Sequence, residues 1–154
     1  MRPLVAGTSQ KSRGWLLALA GILTTFFAEY RDQNRELRYI NCGHPAALLV
    51  RAGGAVERLE ATALPLGIFG RWTCEEKSVS LRPGDVVLVF SDGVVEAGVD
   101  NGEEFGEGRL LETLRSAPAG GGVEALLDHV VAAVLRFSPG GQSDDVTMVA
   151  LKVR

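Results

Sequence analysis

The first half of the chain alternates apolar and polar residues with a period of two, a pattern typical of β-strands. The clearest case is LRYINC, residues 37–42, and the β-branched and aromatic residues of 22–30 predict a strand before it. Residues 31–35 are polar and lie between these two segments. The pattern therefore predicts a β-hairpin with a longer loop.

A second hairpin is predicted directly downstream. Residues 46–50 and 55–60 are strand-like, and Gly53-Gly54 between them favours a tight turn. Residues 72–80 alternate more loosely, as an edge strand does. The uniformly apolar VVLVF, residues 86–90, indicates a buried strand.

The second half of the chain changes to helical spacing. Apolar residues recur three and four positions apart over 105–114 and 123–137, which predicts two helices joined by the glycine-rich link 117–122. After the loop 138–143, VTMVALKV at 146–153 predicts a final strand. The order of strands, then helices, then one more strand favours an α+β fold in which helices pack on one side of antiparallel sheets.

The N-terminal region carries the longest apolar run. We expect residues 1–13 to form a polar tail and residues 14–154 to form one domain. The run at 15–28 has 14 residues, whereas a membrane-spanning helix needs about 20, so we expect no membrane span. We interpret 15–21 as the end of a helix that stops at Gly21, followed by a core strand.

Composition narrows the class of protein further. The 154 residues carry a net charge of −3, and the sequence has no run of Lys and Arg. We therefore expect no nucleic-acid partner. Cys42 and Cys74 do not have the spacing of a CxxC pair or of a disulfide framework. They are most simply reduced thiols, and we expect a cytoplasmic protein.

Carboxylates stand at the ends of two hydrophobic strands. Asp92 follows VVLVF, and Asp144 and Asp145 precede VTMVALKV. If these strands are antiparallel neighbours, the carboxylates converge at one edge of the sheet, and a divalent cation such as Mg²⁺ or Mn²⁺ would relieve their repulsion. Alternatively, Asp92 closes a turn and the other two cap a loop. Spacing alone leaves both interpretations open.

Five segments, in order, resemble the bacterial SpoIIE/RsbU-like branch of the PPM family of metal-dependent protein phosphatases, also called type 2C. The resemblance covers residues from about 22 to 154 and implies two antiparallel β-sheets in a sandwich flanked by helices. The segments are INCGHPAALLV, LPLGIF, LRPGDVVLVFSDGVVEA, NGEEFGEGRL and QSDDVTMVALKV.

The resemblance also implies a chemistry. Family members hold a binuclear Mn²⁺ or Mg²⁺ centre between the sheets, and the positions matching Asp92 and Asp144 are metal ligands. Metal-activated water hydrolyses phosphoserine or phosphothreonine. In this branch the substrate is typically an anti-sigma-factor antagonist, so the resemblance implies a phosphoprotein partner of that type.

Four more residues are candidates for places in or around the metal centre. Asp145 stands where the wider family usually has Asn, and Gly93 adjoins Asp92. Glu96 follows Asp92 by four residues and either caps or orients the loop. His44, in Gly43-His44-Pro45, is either a structural turn residue or a neighbour of the active site.

One family segment has no match. A complete domain begins with further strands and a Gly-Asp-x-Ser-Gly-His-Gly segment whose Asp bridges both metals. The only Asp before Asp85 is Asp32, in the predicted hairpin loop, and the only Gly-His pair is Gly43-His44, which belongs to a different motif. We therefore expect an N-terminally incomplete domain.

Because this family segment has no match in the sequence, two functions remain open. The chain is either part of a working phosphatase or a catalytically inactive module that binds a signalling partner. In both cases the absent strands would leave an open sheet edge, through which we expect a homodimer or another chain to pair.

Overall fold

The computed structural model contains two four-stranded antiparallel sheets and the helices that pack on one of them. The described residues are 14–16, 24–66, 73–99, 102–118, 121–139 and 145–154.

The elements follow the chain in the predicted order of strands, helices and a last strand. The first sheet has the order β1-β2-β3-β6 and the second β5-β4-β7-β8, and every named pair is antiparallel. The strands are β1 Gly14–Leu16, β2 Thr25–Arg31, β3 Glu36–Cys42, β4 Ala47–Val50, β5 Val56–Leu59, β6 Lys77–Ser80, β7 Val86–Phe90 and β8 Met148–Lys152. The helices are the single turn α1 Asp92–Val95, then α2 Gly106–Ser116 and α3 Val123–Phe137.

One apolar layer fills the space between the sheets. Alternate residues of the first hairpin face inward, among them Phe26 and Tyr39, whose stacked rings lie 5.6 Å apart. They pack with Leu49, Val87 and Val89 of the second sheet. Burying a large apolar side chain contributes roughly 1.5–3 kcal/mol, so this layer holds the two sheets together as a sandwich.

A second layer lies between the second sheet and the helices. Leu88 and Phe90 of β7 pack there with Leu110 of α2 and with Leu127 and Val130 of α3. Strand β7 is therefore covered on both faces, and all five of its residues are buried. This explains why VVLVF is uniformly apolar whereas the hairpin strands alternate.

The predicted fold class is confirmed, and so are the two hairpins, the edge strand and the final strand. We interpreted 15–21 as the end of a helix, and for the two described residues of that range this is wrong. Trp15 and Leu16 belong to β1, where they pair with Glu29 and Ala28 of β2. A short edge strand is specified by its partner strand rather than by its own composition. The predicted tail 1–13 and the stop at Gly21 lie outside the described residues.

Asp85 links two turns at the start of β7. The carboxylate is 1% exposed and accepts hydrogen bonds from the Ala52 amide at 3.0 Å, the Arg82 amide at 2.9 Å and the Arg51 guanidinium at 2.8 Å. Burial by itself would raise the pKa of Asp85, but these three donors outweigh it and hold the pKa below its ordinary value. The charged carboxylate thus fixes the start of β7 against the β4–β5 turn.

We expect Asp85→Ala to lower the free energy of unfolding by about 2–4 kcal/mol at pH 7, because it leaves buried donors without an acceptor. The folded-state pKa is depressed, so this stabilisation is complete above the unfolded-state pKa near 4 and is lost as the pH falls through the folded-state value. Urea titrations at pH 7 and pH 3 test this, with Asp128→Ala, at an exposed position of α3, as the control. An equal loss at both pH values would contradict the account.

Candidate functional site

Asp92 lies where β7 leaves the sheet. The strand ends at Phe90, and Asp92 begins the single turn α1 with its side chain exposed. Its Oδ1 accepts a hydrogen bond from the Gly93 amide at 3.1 Å. The aspartate therefore has the local bond that a turn residue makes and the edge position that a metal ligand needs.

The start of β8 lies beside Asp92, because β7 and β8 are antiparallel neighbours as predicted. Ser91 joins them: its amide donates to the Thr147 carbonyl at 2.9 Å, and its Oγ donates to the Asp145 carbonyl at 2.8 Å. The Thr147 amide donates to the same Oγ at 3.0 Å. The Asp145 backbone is thus held next to the residue that precedes Asp92. Asp144 lies outside the described residues, so its convergence with Asp92 stays a prediction.

His44 approaches Asp92 from the opposite side. The β4–β7 register pairs Leu48 with Leu88 and Val50 with Val86, so the loop that precedes β4 and carries His44 lies at the same end of the sheet as Asp92. The imidazole is 7% exposed. Burial lowers the pKa of His44 below its ordinary value, against the opposing influence of the Phe90 carbonyl and the Asp92 carboxylate. The ring is therefore neutral at pH 7.

A fully buried asparagine holds the loop that carries His44. The Asn41 Oδ1 accepts the His44 amide at 2.8 Å, and its Nδ2 donates to the Leu59 carbonyl at 3.2 Å. Gly43 has φ +72°, and a Cβ there would lie 2.6 Å from Cγ of Pro65, so only glycine fits. Sequence reasoning missed Asn41, although a polar residue in an inward strand position is the signal that identifies it.

Glu96 and Gly93 complete the turn after Asp92. Glu96 is the C-terminal cap of α1, with its amide donating to the Asp92 carbonyl at 2.9 Å, and its side chain is exposed. Gly93 is buried and contributes its amide to the Asp92 carboxylate. Both residues therefore shape the turn, and a direct role for either at a metal stays a prediction.

The described donor set is too small for a metal centre. Within the parts of the chain that the structure describes, no three His, Cys, Asp or Glu side chains come together as a metal site. Asp92 fits as one oxygen ligand, but divalent cations of this type take six or more oxygens, commonly from several carboxylates and waters. Further ligands would have to join Asp92.

A cavity of about 360 Å³ lies at the far end of the second sheet from Asp92. Val50, Val86 and Lys152, at the other ends of β4, β7 and β8, line it together with the start of α3. The Lys152 ammonium already donates to the Gly121 carbonyl at 2.8 Å. The candidate site is therefore the sheet edge at Asp92, not this cavity.

None of the helices in the described ranges is long and apolar enough to span a membrane.

Comparison with known families gives a match over nearly the whole chain. The family model described as Stage II sporulation protein E (SpoIIE) matches residues 9–154. Protein IcfG of Synechocystis sp. is 32% identical over 134 residues, covering 86% of this chain and 21% of that protein. The phosphoserine phosphatase RsbU of Bacillus subtilis is 27% identical over 131 residues, covering 84% of this chain and 38% of RsbU. The chain thus spans well under half the length of these relatives.

Solved structures share the fold. The RsbU and RsbW domains of Rv1364c from Mycobacterium tuberculosis match with a TM-score of 0.68 and 27% identity, covering 85% of this chain and 37% of that one. The phosphatase domain of SpoIIE from Bacillus subtilis, presoaked with Mn, matches with a TM-score of 0.67 and 23% identity, covering 84% of this chain and 56% of that one. The second likeness supports the two-sheet fold alone.

We expect Ser91→Ala to lower the free energy of unfolding by about 1–2 kcal/mol, because the Asp145 carbonyl and the Thr147 amide both lose their partner. Amide hydrogen exchange at Thr147 should accelerate relative to the strand centre at Ala150. Ser80→Ala, at an exposed position of β6, is the matched control. Unchanged exchange at Thr147 would show that Ser91 does not hold the two strands together.

Proposed function

The chain belongs to the SpoIIE family of PP2C-like domains, and from that premise we propose that it is part of a metal-dependent protein serine/threonine phosphatase. The observation that carries the proposal is the position of Asp92, at a sheet edge between the His44 loop and the start of β8. Two relatives, RsbU and RsbP of Bacillus subtilis, are phosphoserine phosphatases. The likeness to them supports hydrolysis of phosphoserine or phosphothreonine.

Asp92 and Asp144 are the metal-ligand positions in this proposal, with Mn²⁺ or Mg²⁺ as the ion. Asp145, Gly93, Glu96 and His44 are the groups that shape or surround them. Bound cations supply electrostatic stabilisation to phosphoryl transfer. Support comes from the phosphatase relatives and from a solved neighbour, RsbX, which is in complex with magnesium.

A further carboxylate has to face Asp92, and the free edge of β8 is where we propose that it enters. Among the described strands β8 pairs only with β7, and its start lies beside Ser91 and Asp92. A strand added there would satisfy the unpaired backbone groups of β8 and bring its own side chains to the same edge. A segment of the same protein, or a second copy in a homodimer, would supply it.

The proposed substrate is a phosphoprotein, of the anti-sigma-factor antagonist type. The similarity to RsbU, and to a chain that contains RsbU and RsbW domains, supports this choice. A cytoplasmic location belongs to the same proposal, and the free thiols of Cys42 and Cys74 are consistent with a reducing compartment.

The second candidate function is that of an inactive module which binds a signalling partner. The small donor set among the described residues favours it, since Asp92 gathers no ligand cluster there. Under this alternative the edge at Asp92 would still serve as a binding surface for a protein.

Hydrolysis of a phosphoserine peptide with and without Mn²⁺ separates the two candidates. For a phosphatase we expect metal-dependent turnover that falls by about 100-fold or more in Asp92→Asn, because an amide replaces a charged oxygen ligand. Asp128→Asn, on the exposed face of α3, is the control and should retain activity.

Each outcome excludes one of the two candidate functions. Turnover that is abolished in Asp92→Asn but retained in Asp128→Asn excludes the inactive module. No turnover, together with no Mn²⁺ binding by calorimetry, excludes a phosphatase built from this chain alone.

A further inference from the structure

The cavity between the second sheet and the helices has a floor formed by one row of residues across three strands. Val50 of β4 pairs with Val86 of β7, which in turn pairs with Lys152 of β8, and all three line the cavity. Leu114 near the end of α2 and Leu126 near the start of α3 form the opposite wall. Its volume of about 360 Å³ is that of a small-molecule site.

The glycine-rich link between α2 and α3 leaves this space open. Ala117, Pro118, Gly121 and Gly122 line the cavity, and none of them has a long side chain that could occupy it. A Cβ at Gly122 would meet nothing within 4 Å. A ligand could therefore enter on this side without displacing a packed side chain.

Lys152 occupies a position of β8 that the preceding residues would predict to be apolar. Met148 and Ala150 are buried in the layer between the second sheet and the helices, and the alternation of the strand places Lys152 on the same face. The Lys152 ammonium donates to the Gly121 carbonyl at 2.8 Å, which uses one of its three N–H donors. Because Gly121 also lines the cavity, the remaining donors lie at the cavity wall.

The cavity wall carries positive charge that is only partly compensated. Arg51, Arg115 and Lys152 line it, and the described lining residues include no Asp or Glu. Arg51 is already paired with Glu57 and Asp85. Arg115 and Lys152 form no ion pair within the part of the chain that the structure describes. These two cations are therefore available to an anion.

We propose that this cavity binds a small carboxylate, with its head group at Lys152 and Arg115 and its compact apolar body against the valines of the floor. Ammonium and guanidinium groups make charge-assisted hydrogen bonds to a carboxylate, and the apolar walls favour the body. A more strongly hydrated phosphate group would lose more hydration against these walls. The cavity and the candidate metal site lie at opposite ends of β7, so this inference is independent of the proposed phosphatase.

Amide NMR titration of the full chain, without metal, tests the proposal with a rigid probe, naphthalene-2-carboxylate. We expect the probe to shift the signals of Val50, Leu126 and Lys152 and to leave the signal of Gly93 unchanged. The neutral naphthalene-2-carboxamide has the same body but no charge, so we expect it to bind about 10-fold more weakly.

Three variants locate the ligand. Lys152→Met keeps an unbranched apolar side chain and removes the charge, so we expect the affinity for the carboxylate to fall by about 10-fold. Lys77→Met, at an exposed position of β6, is the matched control and should bind as wild type does. Ala125→Phe places a large side chain at a lining position and should abolish binding.

Several results would overturn the proposal. Unchanged signals at the lining residues with millimolar probe, or shifts centred on another surface, exclude a site in this cavity. Equal affinity for the carboxylate and the carboxamide, or wild-type affinity in Lys152→Met, excludes an anion site. If Lys152→Met does not fold, Arg115→Gln, at an exposed position of α2, replaces it, with a several-fold loss expected and wild-type affinity overturning the proposal.

Discussion

The placement of strand β7 between β4 and β8 is the constraint on which the site depends. Both faces of β7 are covered, by the first sheet and by α2 and α3, and both of its edges are paired. A strand confined in this way cannot shift its register without turning its apolar residues toward the wrong layer. Asp92, two residues beyond its end, is therefore held at one fixed point of the sheet edge.

The neighbours of β7 then determine what surrounds Asp92. The β4 side contributes His44, on a loop fixed by Asn41, and the β8 side contributes the Asp145 backbone, fixed by Ser91. At the opposite end of the strand, Asp85 holds the turn that leads into β7. The buried carboxylate of Asp85 thus has a structural role, whereas the exposed carboxylate of Asp92 lies at the candidate site.

The sequence predicted those features that have a local cause. Alternation in LRYINC and the uniform apolar character of VVLVF identified the strands, and the carboxylates at strand ends identified the edge. Strand β1 was missed because its conformation comes from pairing with β2. The loop that carries His44 is fixed by contacts of Asn41 with Leu59 and of Gly43 with Pro65, which lie some distance along the chain, and no local pattern encodes such contacts.

The family relationship and the geometry leave one central claim, that Asp92 is a metal-ligand position at this edge. Paramagnetic broadening of amide NMR signals by Mn²⁺ tests it directly, because the effect falls steeply with distance from the ion and detects weak binding. The account predicts that substoichiometric Mn²⁺ first broadens the signals of Gly93, Asp145 and His44. Broadening centred on another acidic stretch, such as Glu75-Glu76, with the Gly93 signal unaffected, would contradict it.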